Sequence, residues 1–305
     1  MQLKPSPLLR VSTIISLLVF WPGFDNRFQG DDFVALRAVL EHGLWEISFV
    51  PNRYFPFYRP GAVCQFAGEF SLFGLHSGLF LAANWLLHLG ACLLFYRLAC
   101  VLGLERRPAA VATSLLLVGF AHYGKMLLWA TCGPAILCQI LVLLALVLAH
   151  KRPVSRGSAV ALAGVLLVAP LFHEMGKLAP FTTLLTLFVH EGRVAFCRRG
   201  VMAATVIPAV AWVAAVRVLQ PWYPSYGWIA LPNLAILDRL VRLFGFSLLP
   251  VQSLAFTEAF PGKLSALAPL AGTIHLGLGC LVLLGGLILL VRGPHILRAP
   301  LAWCA

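Results

Sequence analysis

The sequence predicts an all-α, polytopic transmembrane helical bundle, and three observations predict it. Of the 305 residues, 60% are hydrophobic and only 11% charged, with a mean hydropathy of +0.89. Soluble domains average about 45–50% apolar and about 25% charged, so this chain lacks the polar groups to cover a water-facing surface. Apolar runs long enough for a membrane helix, about 20 residues, recur along most of the chain. The basic residues, finally, segregate with the turns that one face of such a bundle would carry. Together these exclude a soluble enzyme, a disordered chain and a disulfide-stapled secreted module. The eight cysteines form no CxxC pair and mostly sit inside apolar runs, as small apolar fillers do.

Each element follows in order. Residues 8–21 form the first span; Lys4 and Arg10 precede its apolar core, but no small-residue cleavage site follows. Trp21-Pro22-Gly23-Phe24 suits an interfacial anchor, so we expect an uncleaved first helix. The first outer loop, 23–76, differs in kind. It mixes Asp25, Arg27, Asp31, Asp32, Arg37, Glu41, Glu46, Arg53 and Arg59 with aromatic residues. Phe33, Leu36, Leu40 and Leu44 recur at helical spacing over 33–45, the pattern of an interfacial amphipathic helix. The segment 60–74 carries Gln65 and Glu69 and is expected along the membrane surface. Further spans are expected at 77–101, 109–120, 135–149, 159–171, 178–189, 201–219 and 266–291. That makes eight. A ninth at 240–249 has Asp238, Arg239 and Arg242 crowding its start. No internal repeat and no soluble domain is visible, so 1–305 reads as a single integral-membrane domain.

With the N-terminus in the cytoplasm, the alternating spans put 13 bases and two acids, Glu105 and Glu191, on the cytoplasmic side. The positive-inside rule thereby accounts for the net charge of +12, and a nucleic-acid partner is not needed to explain it. The expected location is a multi-pass protein of a bacterial inner membrane.

The same division gathers the carboxylates on the outer face. Asp31 and Asp32 follow Gly30 at the start of the amphipathic helix. Adjacent carboxylates repel, so such a pair calls for a proton, a divalent cation or hydrogen-bond donors; helix capping by either one is the plainer reading. His173-Glu174 and Lys177 form a second concentration between two apolar runs, either a short turn reaching water or a cavity lining. No second His follows at ligand spacing, so no metal ligand set is expected there. His122, Tyr123 and Lys125 mark a third outer turn. Asn84 and His88 lie one helical turn apart inside a span, as packing partners between helices do. Trp21, Trp45, Trp129, Trp222, Tyr223, Tyr226 and Trp228 read as interfacial belt residues, and the 221–228 cluster could also stack on a sugar.

The order of these features resembles the GT-C glycosyltransferases, multi-spanning enzymes that take a sugar from a polyprenyl-phosphate carrier. Within them the protein O-mannosyltransferase-like and TMTC-like group is the most similar. The matching pieces are the first helix, Gly30-Asp31-Asp32, Tyr58-Arg59-Pro60, Asn84 with His88, and His173-Glu174 with Lys177 and Pro180. Residues 234–254, with Arg239, Arg242 and Leu249-Pro250, resemble a later basic segment of that group. The resemblance spans residues 8–255 and implies a short member. It departs before Trp129, where the group often carries a carboxylate and this chain has His122 and Lys125.

The resemblance implies transfer of a sugar from a polyprenyl-phosphate donor to an acceptor hydroxyl on the outer face. Asp31 would act as general base and Asp32 would align the acceptor. Arg59 and Lys177 would contact the lipid phosphate, while His173, Glu174, His122 and Lys125 would line the cavity. Membrane lipid is the surrounding partner; the acceptor is not legible. Two other classes remain open at this point. One is a transporter or flippase for a lipid-linked or anionic solute, for which Gly133-Pro134 could mark a broken helix. The other is a non-catalytic membrane subunit.

Overall fold

A computed structural model describes residues 6–50, 58–119, 127–152, 155–219 and 222. The chain divides into two compact units, 1–227 and 228–305. All of the second lies outside the described residues, and with it the spans expected at 240–249 and 266–291.

Among the described residues the structure is helical, without strands. Helix α1 (Pro7–Phe20) opens with Pro at its first position and with the Ser6 side chain accepting from the Leu9 N–H. A 3₁₀ turn, Trp21–Asp25, extends it. Then come α2 (Asp31–Glu41), α3 (Leu44–Phe49), α4 (Pro60–Phe73), α5 (Ser77–Val101) and α6 (Arg106–Val118). After the short turn Ala130–Cys132 follow α7 (Gly133–His150), α8 (Arg156–Phe172), a 3₁₀ turn at Glu174–Leu178, α9 (Ala179–Glu191) and α10 (Arg199–Leu219). A Ser155/Ser158 capping box starts α8.

Four of these elements are long and apolar enough to cross a membrane: Pro7–Asp25, Ser77–Val101, Ala130–His150 and Arg199–Leu219. The segments expected at 109–120 and 178–189 do form helices, but each has 13 residues. At 1.5 Å per residue that is about 20 Å, short of a hydrocarbon core of about 30 Å. α8, at 17 residues, lies between the two classes.

The amphipathic helix expected over 33–45 is two helices. The chain is extended at His42, and Gly43, whose backbone loses most by being helical, caps α3 instead. Of the expected apolar stripe only Leu36 is buried. Phe33, Leu40, Leu44 and Trp45 are exposed, as befits helices whose apolar side meets lipid.

Small residues set the main core. Ala145, Ala149, Ala179 and Ala204 let α7, α8, α9 and α10 approach closely around Leu162, Leu166 and Leu187. Between α1, α5 and α6 a buried polar chain accompanies the apolar cluster of Leu9, Ala99, Ala109 and Ala110: Trp85 Nε1 donates to Ser16 Oγ (3.1 Å), which donates to the Leu117 carbonyl (2.9 Å). Ala35, Leu36, Phe66, Phe80 and Ala130 form a third cluster, with Phe28 and Phe73 edge-on to Phe80. This last cluster fixes α2 and α4 against α5 and the start of α7.

Candidate functional site

The first turn of α2 is built by three residues in succession. Gly30 takes φ +51°, a conformation that side chains disfavour, and it turns the chain into the helix. Asp31 and Asp32 then diverge. Asp32 is 1% exposed, and both of its oxygens are engaged: Oδ2 accepts from the Gln29 N–H (3.0 Å) and Oδ1 from the Thr131 N–H (2.8 Å). Neither aspartate is the N-cap, which is Gly30. Asp32 instead ties the start of α2 to the turn ahead of α7. Each Asp32 oxygen thus already accepts one backbone hydrogen bond, which answers part of the charge that the adjacent pair would otherwise carry unmet. Among the described residues, no group of three or more His, Cys, Asp or Glu side chains is placed to hold a metal ion.

Asp31 remains exposed and lines a cavity of about 450 Å³. The same cavity is lined by Arg59, His173, Trp129 and Thr131, and by an apolar set from α2, α3 and α4: Val34, Ala35, Val39, Ile47, Val63 and Phe66. A carboxylate, a guanidinium and an imidazole from three distant stretches therefore share one amphipathic chamber.

Close backbone approaches put the second and third of these there. A Cβ on Gly61 would sit 3.1 Å from the Leu171 carbonyl oxygen, so the start of α4 runs directly against the end of α8. A Cβ on Gly176 would fall 2.6 Å from backbone atoms of Ala169 and Pro170, so only glycine lets the 174–178 turn fold back on α8. Arg59, the residue just before α4, and Glu174 thereby meet in an ion pair. His173 Nδ1 accepts from the Met175 N–H (3.3 Å), which leaves the imidazole proton on Nε2, 3.7 Å from Glu174 Oε1. Burial pushes the His173 pKa down. The Glu174 charge opposes that shift, and Arg59 and Lys177 add to it. A neutral histidine with one nitrogen capped by backbone is a hydrogen-bond donor here.

Glu174 and Lys177 do not line the cavity; Glu174 reaches it through Arg59. Lys177 is 9% exposed, and burial lowers its pKa to about 8, against the opposing pull of Glu174 and with a contribution from Arg59. The unfolded chain holds that proton up to about 10.5. Between these values unfolding takes up a proton, so this residue makes stability rise with pH over roughly 8 to 10.5. Lys177→Met should abolish that rise in a series of thermal midpoints measured against pH in detergent.

His122 and Lys125 lie outside the described residues. Asn84 is fully buried and donates to the Trp129 carbonyl (2.9 Å), a packing role as its spacing implies. Trp129 and Thr131 are lining residues that sequence reasoning did not assign to a site; the turn ahead of an apolar run carries no local signal for either. No protein-family model, no curated protein and no solved structure matches this chain.

Proposed function

We propose that the chain is a membrane glycosyltransferase of GT-C type, moving a sugar from a polyprenyl-phosphate carrier to an acceptor hydroxyl. On this reading the chain makes eight or nine crossings, the two 13-residue helices crossing together with the residues that flank them, and its N-terminus lies in the cytoplasm, which puts the cavity on the outer face. The observation that supports this reading is the joint presence of Asp31, Arg59 and a long apolar wall in one cavity. A lipid-linked phosphate has the matching parts: an isoprenoid chain for Val34, Val39, Ile47, Val63 and Phe66, and an anionic head for Arg59.

In the reaction the acceptor oxygen bonds to the anomeric carbon as the bond from that carbon to the phosphate oxygen breaks. Asp31 takes the acceptor's proton. Arg59 meets the charge that develops on the departing prenyl phosphate, shifting from Glu174 toward it, and the His173 Nε2–H adds a neutral donor. Lys177 contributes charge from behind the Arg59–Glu174 pair. Asp32 holds the Asp31 turn in place.

The test is transfer of a labelled hexose from a hexosyl prenyl phosphate by the purified protein in lipid nanodiscs. Arg59→Ala should raise the donor KM about 10–100-fold, the cost of one charge-assisted contact, with a much smaller change for the acceptor. An equal effect on donor and acceptor would remove Arg59 from the phosphate.

A further inference from the structure

We propose that Trp129 is the platform of a sugar subsite inside the cavity, an inference that rests on the sugar-transfer reading above. The indole is held at two points, and the backbone that carries it at a third. The ring Nε1–H donates to the Gln29 carbonyl (3.1 Å) and the ring packs against Gly30, while the Trp129 backbone carbonyl accepts from the buried Asn84 (2.9 Å). A Cβ at position 30 would lie 3.3 Å from the ring, so the glycine that turns the chain into α2 is also the one that admits the indole.

Because its N–H is spent on Gln29, what Trp129 presents to an occupant is aromatic carbon. That surface lies beside the turn that carries Asp31, and both residues line the cavity. The pairing has a chemical reading. The ring's negative face meets the positively polarised C–H groups on one face of a pyranose, and a carboxylate next to it accepts from hydroxyls at the sugar's edge. A phosphate has no use for an indole that offers no donor. An isoprenoid chain already has its wall in the aliphatic side chains of α2, α3 and α4. Immobilising the ring in advance also removes the entropy a free side chain would lose on binding.

The subsite can be separated from the phosphate and tail contacts with citronellyl phosphate and its mannosyl and glucosyl esters, their affinities measured for wild type, Trp129→Ala, Trp129→Phe and Arg59→Ala. Trp129→Ala should lose about ten-fold in affinity for at least one hexosyl ester while binding bare citronellyl phosphate as wild type does. Trp129→Phe, which keeps an aromatic face, should recover most of the loss and shows that the position tolerates change. Equal weakening of bare and hexosyl phosphates by Trp129→Ala would assign the ring to the tail. No weakening of either would assign it to packing alone. Each of these two results overturns the subsite, and if Arg59→Ala still weakens every probe the donor reading stands without it. Wild type that binds neither the bare phosphate nor the esters overturns both.

Discussion

On the proposed sugar-transfer reading, Asp31→Asn should leave the protein folded and lower hexose transfer by about 10²–10⁴-fold, the usual contribution of a positioned general base. The fold survives because the substitution touches none of the bonds that hold this turn. Those belong to Asp32, which accepts from Gln29 and Thr131, while the Asp31 side chain is exposed on the cavity wall. Donor binding should hardly change, since Arg59 and the apolar wall are untouched. A variant that transfers at the wild-type rate would remove Asp31 from the chemistry. One that unfolds would mean that the two aspartates do not divide their work as their contacts indicate.

At the other end of the bundle, Glu191→Ala should cost about 3–5 kcal/mol, the range for breaking a buried ion pair from one side. The Glu191 side chain is 2% exposed and binds Arg198 at 2.6 Å and Arg152 at 3.2 Å, with His150 Nδ1 3.9 Å away. Arg198 also donates to the Lys151 carbonyl (3.2 Å). One carboxylate thus joins the end of α7, the end of α9 and the approach to α10. Its removal leaves Arg198, 13% exposed, without a counter-charge. The thermal midpoint in detergent should fall by several degrees, and Glu191→Gln, which keeps the shape and an acceptor oxygen, should fall less. Unchanged midpoints for both would show that the arginines find water or phosphate as readily.

What could be read in the chain depended on how local its cause was. α5 has the bounds expected from the sequence, Ser77–Val101, because 25 residues run without a proline and the apolar length that carries Gly78 and Gly90 is a property of the segment alone. The 33–45 helix failed at Gly43, where a local propensity outweighed an apolar pattern that the bundle does not bury. The segments at 109–120 and 178–189 are apolar and helical, yet length separates them from the four long helices.

The site itself was legible as a list and not as an arrangement. Nothing in Gly30-Asp31-Asp32 says which aspartate is buried, since the partner that decides it, Thr131, lies 99 residues on. Arg59 and Glu174 are joined by glycines at 61 and 176 whose close approaches are tertiary facts. Lys177 reads in sequence as the second cationic contact of the phosphate beside Arg59, and the short turn at Glu174–Leu178 leaves it buried and off the cavity wall instead. Trp129 looks like one of several interfacial tryptophans until its bond to Gln29, 100 residues away, is drawn.

The central claim is that a lipid phosphate occupies the chamber shared by Asp31 and Arg59. Photolabelling in nanodiscs with a prenyl phosphate carrying a diazirine on its chain, followed by mapping of the adducts, tests it most directly. The account predicts adducts on α2, α3 and α4, at residues such as Val39, Ile47, Val63 and Phe66, competed away by unlabelled prenyl phosphate and strongly reduced by Arg59→Ala. Adducts spread over the lipid-exposed side of α1, indifferent to competitor and to Arg59, would contradict it.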